Sequence, residues 1–425
     1  MTPTNDWPAL SSLKEHPSEP LSQPDPMPAL RLFATWEICR YMIPVAPAHL
    51  RRVLRDTPDL PQGIREGDSA ARWFSLRDIM QLRQFFAQTG RGARAYLPYR
   101  PQGLPAQTIA VIGNGAGTGK TALCLHLATR AALEGYRVLV IDLDPSGALT
   151  VQLPAPDLTP ALPGLSELLA RHYGEHLQAE NRARLARGAD PLAVNEALAA
   201  PLARSVQDLV RPSLWHRLDV LPSDASLWES TLQMAEWSQS APGWRSWDAL
   251  HDRLRDDGLL ARYDLIVMDA PPLLDALALS ALHLANLVVT CAPATPQGAA
   301  QALHCLSLLA RRFGTLETRL NTVARTLGGA PVSLGQARCQ ILLNGDVPTQ
   351  SGTTHPLRSQ LGALAGLTPL PHQPLMTTPG GFFALDPRQI PREAYVGARS
   401  PLETLWSEMS AQIRAGWAAS SEAAE

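Results

Sequence analysis

From residue 107 onward, short apolar runs alternate with longer stretches in which apolar positions recur at helical spacing. The runs at Ile109–Ile112, Val138–Ile141, Leu218–Leu221, Leu265–Met268, Leu287–Cys291 and Gln340–Leu343 read as strands. The periodic stretches predict helices at about Lys120–Leu133 and near 165–180, 191–199, 201–210, 245–257, 275–284 and 297–312. Strands alternating with helices make this an α/β chain, with a mostly parallel sheet and helices on both faces. Trp228, Trp237, Trp244 and Trp247 punctuate one segment at irregular spacing and read as packing residues.

The pattern before residue 107 is different. Residues 1–28 are rich in Pro, Ser and acidic groups, without apolar periodicity, and read as a disordered arm. In 29–100, Thr35 is placed to cap a helix through Trp36, Ile38, Cys39 and Tyr41. Pro44 and Pro47 mark a turn, and a second helix follows over Ala48–Arg55. After Arg72-Trp73-Phe74, the pair Ser75 and Asp78 has the spacing of an N-cap and its reciprocal acidic partner, opening a third helix to about Gln88. Two short helices at a tight turn, a hairpin-like wing and a third helix predict a winged helix-turn-helix. The expected division is therefore an arm (1–28), this small domain (29–100), a linker (101–106), the α/β domain (107–415) and a tail (416–425).

The chemistry is concentrated between Ile109 and Thr150. A strand leads into Gly113-Asn114-Gly115-Ala116-Gly117-Thr118-Gly119-Lys120-Thr121-Ala122, then a helix, then a second strand closed by Asp142-Leu143-Asp144. Alternating glycines let backbone N–H groups turn inward around an anion, and the helix adds its positive N-terminal end. Lys120 can place a point charge on the β/γ-phosphates of a nucleotide, and the Thr121 hydroxyl can take a Mg²⁺ position. The chain uses only two lysines, Lys14 and Lys120, among 37 basic residues. It keeps Lys where a compact ammonium suits a phosphate cradle better than a planar guanidinium. Farther on, the strand ending at Asp269 supplies a carboxylate that can hold a Mg²⁺-bound water opposite Thr121.

Bulk composition narrows the picture. With 425 residues, 45% of them hydrophobic, the chain has the material for more than one domain. A net charge of −2 gives no global pull toward nucleic acid, so such binding must come from local patches. Residues 29–100 supply one: 12 arginines against 6 acidic residues, about +6. His49, Arg51, Arg52 and Arg55 on its second helix suit phosphate contact and base edges. Five scattered cysteines without a C-x-x-C pair favour reduced thiols. With no secretory signal and no apolar run of membrane-spanning length, a cytoplasmic protein is expected.

With the three nucleotide motifs in place, the chain resembles the ParA/MinD family of phosphate-loop ATPases, and especially the plasmid-partition proteins with a helix-turn-helix ahead of the ATPase. F-A-T-W-E-I, W-F-S-L-R-D-I-M-Q-L-R, G-Y-R-V-L-V-I-D-L-D-P, Y-D-L-I-V-M-D-A-P-P and P-L-M-T-T-P-G-G-F-F-A-L-D carry the likeness, in that order, over roughly residues 30–410. The resemblance implies an ATP-dependent homodimer on DNA, nucleoid-associated, stimulated by a ParB-like centromere-binding partner. It implies that Lys120 and Thr121 hold phosphate and Mg²⁺, that Asp144 positions the attacking water with Asp142 in support, and that Asp269 contacts the metal through water. The remaining loop positions, Gly115 to Ala122, would line the nucleotide.

The loop also departs from the family pattern. Gly115 stands where the family has a lysine that reaches the partner's nucleotide, Asn114 occupies a glycine position, and Ala122 and Ser146 replace Thr and Gln. A nucleotide-switched DNA-binding regulator with degenerate hydrolysis is therefore the second expectation. A phosphate-loop kinase or a MinD-like membrane protein is the third; Leu402–Trp417 is amphipathic, but without the basic flanks that an anionic membrane favours.

Overall fold

The computed structural model of the chain describes residues 30–65, 71–89, 93–98, 100–115, 117–153, 155, 163–224, 226–241, 243–272, 275–327, 334, 337–346 and 351–422. The expected arm lies outside them. The first elements are β1 (Phe33–Ala34), α1 (Thr35–Tyr41), α2 (Pro47–Asp56), β2 (Ile64–Arg65), β3 (Arg72–Phe74) and α3 (Leu76–Thr89). The three short strands form an antiparallel sheet with β3 in the middle. Thr35 does not cap α1, which starts from Ala34; its hydroxyl donates to the Arg72 carbonyl and so ties α1 to β3. Pro47 opens α2, where a missing N–H costs nothing. Ser75 and Asp78 make the reciprocal cap of α3, with amide-to-side-chain distances of 2.9 and 3.2 Å.

The main sheet comprises β4 (Gln107–Gly113), β5 (Val138–Asp142), β6 (Arg211–Pro212), β7 (Leu218–Leu221), β8 (Leu265–Asp269), β9 (Leu287–Pro293), β10 (Arg338–Asp346) and β11 (Leu370–Pro371). Their spatial order is β11-β10-β9-β4-β8-β5-β7-β6, parallel throughout except for β6. Alternate residues of the central strands feed two cores. Ile109, Val111, Val138, Val140, Leu265 and Val267 face one. Ala110, Ile112, Leu139, Ile141, Ile266 and Met268 face the other. Burial on both faces makes each strand an unbroken apolar run.

The helices that cover the sheet include α4 (Lys120–Glu134), α5 (Ala148–Gln152), α6 (Leu165–Ala186), α7 (Leu227–Ser240), α8 (Ala249–Asp256), α9 (Ala276–Leu284), α10 (Pro296–Leu327), α11 (Ser351–Leu361) and α12 (Arg392–Glu422). The helices expected near 191–199 and 201–210 are instead single turns around Glu196–Leu198, Ala199–Leu202 and Val206–Asp208, because Pro191 and Pro201 interrupt the stretch. α10 runs fifteen residues past its expected end at 312. α12 continues through 422, into the stretch expected as a tail, and Trp417 is fully buried with its indole N–H donating to the Pro105 carbonyl at 3.0 Å. Trp406, Met409 and Ile413, the apolar side of that stretch, are core residues. No helix among the described residues is long and apolar enough to cross a membrane.

The N-terminal block shares a core with the main sheet: Phe33, Ile38, Leu50, Phe74, Ile79 and Phe86 belong to the same cluster as Val111, Leu127 and Trp406. A buried ionic knot fastens it. Arg31 bonds Glu37 through two nitrogens, at 2.9 and 2.6 Å, and Arg399 and the Tyr395 hydroxyl reach the same carboxylate from α12. Burial alone would raise the Glu37 pKa, but the Arg31 bonds and the charges of Arg31 and Arg399 hold it below the usual carboxylate value. Two further arginines fasten α4: Arg130, on α4 itself, donates to the Tyr41 carbonyl and to Glu403, and Arg83 of α3 donates to the Leu133 carbonyl.

Candidate nucleotide site

β4 ends at Gly113 and α4 starts at Lys120, so the connecting loop sits at the carboxyl end of a central strand, where parallel sheets of this kind bind ligands. Gly115, Gly117 and Gly119 have φ of 100°, 73° and 87°, the left-handed region in which a side chain is strained. Gly119 is constrained a second time. A Cβ there would lie 2.0 Å from the Asn344 amide nitrogen, which donates to the Thr118 carbonyl at 3.2 Å. Lys120 is 6% exposed, and its ammonium folds back over the loop to the Gly115 carbonyl at 3.0 Å. The Gly115 amide points away, to the Pro272 carbonyl at 3.5 Å. Ala116 lies outside the described residues.

The carboxylates come from the neighbouring strands. β5 and β8 pair with Asp142 opposite Asp269, so two fully buried carboxylates stand side by side at the strand tips. Asp142 accepts the amide and hydroxyl of Thr150, at 2.8 and 2.7 Å, and the Asp144 amide at 3.2 Å. Burial still pushes it up to about 6. Among the described residues, neither carboxylate oxygen of Asp269 has a hydrogen-bond partner. Burial, and then the charge of Asp142, push it up to about 7, while the nearby Thr121 hydroxyl and Lys120 ammonium pull the other way. An orphaned buried carboxylate facing a threonine hydroxyl and an ammonium suits a hydrated divalent cation, which takes oxygen ligands and supplies the missing positive charge. Asp144 is partly exposed beyond Asp142, and its carboxylate accepts the Ser146 amide at 2.9 Å.

The structure thus gathers Gly115, Gly117, Thr118, Gly119, Lys120, Thr121, Ala122, Asp142, Asp144 and Asp269 around three adjacent strand tips. Thr150 and Asn344 are participants that motif spacing does not single out. Thr150 orients Asp142 and receives the Ser223 amide at 3.1 Å; only its position eight residues after Asp142 hints at this. His49, Arg51, Arg52 and Arg55 lie elsewhere, on α2. Arg51, Arg52 and Arg55 are exposed there, whereas His49 is half-buried, its ring 5.8 Å from Phe86 and 3.1 Å from the Arg52 guanidinium.

A family model described as an AAA domain matches residues 106–324. The chain is 28% identical to a putative replication protein A of Rhizobium rhizogenes over 298 residues, 67% of this chain and 64% of that one. It is 31% identical to the chromosome-partitioning ATPase Soj of Thermus thermophilus over 220 residues, 52% of this chain and 66% of that protein. These curated relatives are therefore matched over less than two thirds of their own length. Among solved structures, one titled "Partition Protein" superposes with a TM-score of 0.60 over 96% of both chains at 16% identity, which is a likeness of fold.

Proposed function

The chain belongs to the ParA/MinD family of phosphate-loop ATPases, and from that membership we propose that it is an ATP- and DNA-binding partition protein that segregates a plasmid or chromosome. In this reading Lys120 and the loop from Gly115 to Ala122 hold the triphosphate of ATP. Thr121 and Asp269, the latter through water, hold Mg²⁺, which screens phosphate charge. Asp144 positions the attacking water, and Asp142 keeps the Asp144 segment in place through its amide. The protein acts as a homodimer on DNA in the cytoplasm, with α2 reading DNA through Arg51, Arg52 and Arg55 and with a ParB-like protein stimulating turnover. The observation that carries the proposal is the in-register pair Asp142 and Asp269, with Asp269 left unpartnered opposite Lys120 and Thr121. Names of relatives that include a chromosome-partitioning ATPase support the biological setting. The test is ATP turnover with DNA and the cognate partner present, beside plasmid retention in cells. Retention unaffected by Lys120→Ala would rule the proposal out.

A second reading, a DNA-binding regulator that the nucleotide switches without efficient hydrolysis, is favoured by Gly115. Its φ of 100° is a conformation that a lysine adopts only with strain, so the family's cationic contact is missing and the backbone is shaped for glycine. This reading expects ATP-dependent DNA binding with negligible turnover, and brisk partner-stimulated hydrolysis would exclude it.

A further inference from the structure

α4 carries one histidine, His126, buried one turn beyond Ala122 of the phosphate loop. Its two ring nitrogens meet partners of opposite kind. Nδ1 lies 2.5 Å from the Ala122 carbonyl, which can only accept, and Nε2 lies 3.1 Å from the Phe382 amide, which can only donate. Together the contacts leave one arrangement: a neutral ring with its proton on Nδ1 and a lone pair on Nε2. Burial favours the same state, pushing the ring's pKa down to about 4.

The Phe382 amide belongs to the turn at 378–384, which comes so close to α4 that a Cβ on Gly381 would lie 2.9 Å from the Leu125 side chain. That turn is itself held from behind. Arg31 donates to the Phe383 carbonyl at 2.8 Å, and Tyr395 stacks on Phe382 with ring centres 4.9 Å apart. The imidazole therefore leans on a fixed support. On its other side, the Ala122 carbonyl and the Leu123 amide are two ends of one peptide group, and that amide donates to the Gly119 carbonyl at 2.9 Å. Hydrogen bonds in such a chain polarise and strengthen one another.

We propose that His126 is a positioning residue of the nucleotide site: the Phe382 amide fixes the proton on Nδ1, and that proton holds the Ala122–Leu123 peptide against Gly119, setting the shape in which the loop receives phosphate. The role rests on the nucleotide-binding reading above. His126 acts through the loop backbone and does not itself touch the nucleotide. A histidine that only satisfied the Phe382 amide would matter for stability and not for nucleotide affinity, and the two nitrogens can be tested separately.

Asn places its amide nitrogen near the position of Nδ1, and Gln places its amide oxygen near that of Nε2, so each keeps one of the two bonds. In a helix the Ala122 carbonyl also accepts the backbone amide four residues on, so loss of the ring's bond to it costs little stability; the Phe382 amide would be left buried and unpaired. The full chain carrying His126→Asn, His126→Gln or His126→Leu is compared with the unmodified chain. Melting temperature is measured without nucleotide, and the Kd of a fluorescent ATP analogue is measured with Mg²⁺ at a temperature where each sample is folded by circular dichroism. His126→Gln should melt close to the unmodified chain and bind the analogue about tenfold more weakly, the scale on which outer-shell orienting partners act. His126→Asn should melt lower and keep its affinity, and His126→Leu should lose both. ¹⁵N NMR of the histidine-labelled unmodified chain, with the His126 signals identified by their absence from His126→Gln, should place the proton on Nδ1. Unchanged affinity in His126→Gln, equal loss of affinity in His126→Asn and His126→Gln, or a proton on Nε2 would each overturn the role. Absence of analogue binding in the unmodified chain undoes the proposed function and this role together, whereas normal binding there with unchanged binding in His126→Gln undoes the role alone.

Discussion

Glu37 and Asp269 are both carboxylates with no solvent exposure, and the fold treats them in opposite ways. Glu37 is met by Arg31, Arg399 and Tyr395, and its charge is held in place. Asp269 is met by a second carboxylate and has no hydrogen-bond partner among the described residues. A charge buried with full partners costs the folded state little and fixes how two parts of the chain meet. A charge buried without them destabilises the empty fold and is tolerated where something else completes the site. The first pattern marks the joint between the N-terminal block and the sheet. The second is the pattern a cation site would leave, which is the role proposed for Asp269.

The comparison can be broken most severely at Lys120. Lys120→Ala should leave the melting temperature nearly unchanged while lowering ATP turnover by roughly 10² to 10³-fold; normal turnover would detach the site from phosphate chemistry. At the joint, Glu37→Ala leaves the buried Arg31 without its carboxylate and Arg399 with Glu403 alone, and should cost about 3 to 5 kcal/mol in denaturant unfolding. A loss below about 1 kcal/mol would mean that the knot is not structural.

Asp269→Asn should act in the reverse direction on stability. With the unpaired charge removed, the nucleotide-free protein should melt a few degrees higher at pH 8, while Mg²⁺-dependent nucleotide binding is lost; destabilisation by the same change would contradict the orphan assignment. The pH profile follows with a definite sign. Asp142 and Asp269 are raised to about 6 and about 7, so between pH 4 and pH 7 the unfolded chain gives up these protons before the folded one does. Their contribution to stability therefore declines as pH rises through that window and is level above it. Mg²⁺ with nucleotide should accordingly raise the melting temperature more at pH 8 than at pH 5.5. The smallest effect is expected at Arg55, whose pairing with Asp56 is solvent-exposed. Arg55→Ala should change stability by less than about 0.5 kcal/mol, with any consequence confined to DNA binding.

What could be read without coordinates follows from the same physics. The phosphate loop, the strand runs and the Ser75–Asp78 cap are local, each set by neighbours within a few residues. Arg399 reaches Glu37 across 362 positions, and no local pattern announces such a contact. α7 carries exposed Trp228 and Leu232, which blur the one-sided apolar stripe that identifies a surface helix. The second half of α10 was illegible for the opposite reason, since Gly314, Thr315, Thr318 and Thr322 resemble a loop until packing of the helix supplies its support. The pairing of Asp142 with Asp269 also lay beyond reach, because sequence shows two strands ending in Asp but not that they are neighbours in register.

Gly119 carries a lesson about mutational history. Two independent barriers hold the position, a φ of 87° and the Asn344 amide standing where a side chain would go. Trimming Asn344 would clear the space and leave the backbone strain untouched; relaxing the backbone would leave the collision. No single substitution opens a route to another residue at 119, whereas Asn114 and Ala122 in the same loop have no positive φ to restrict them.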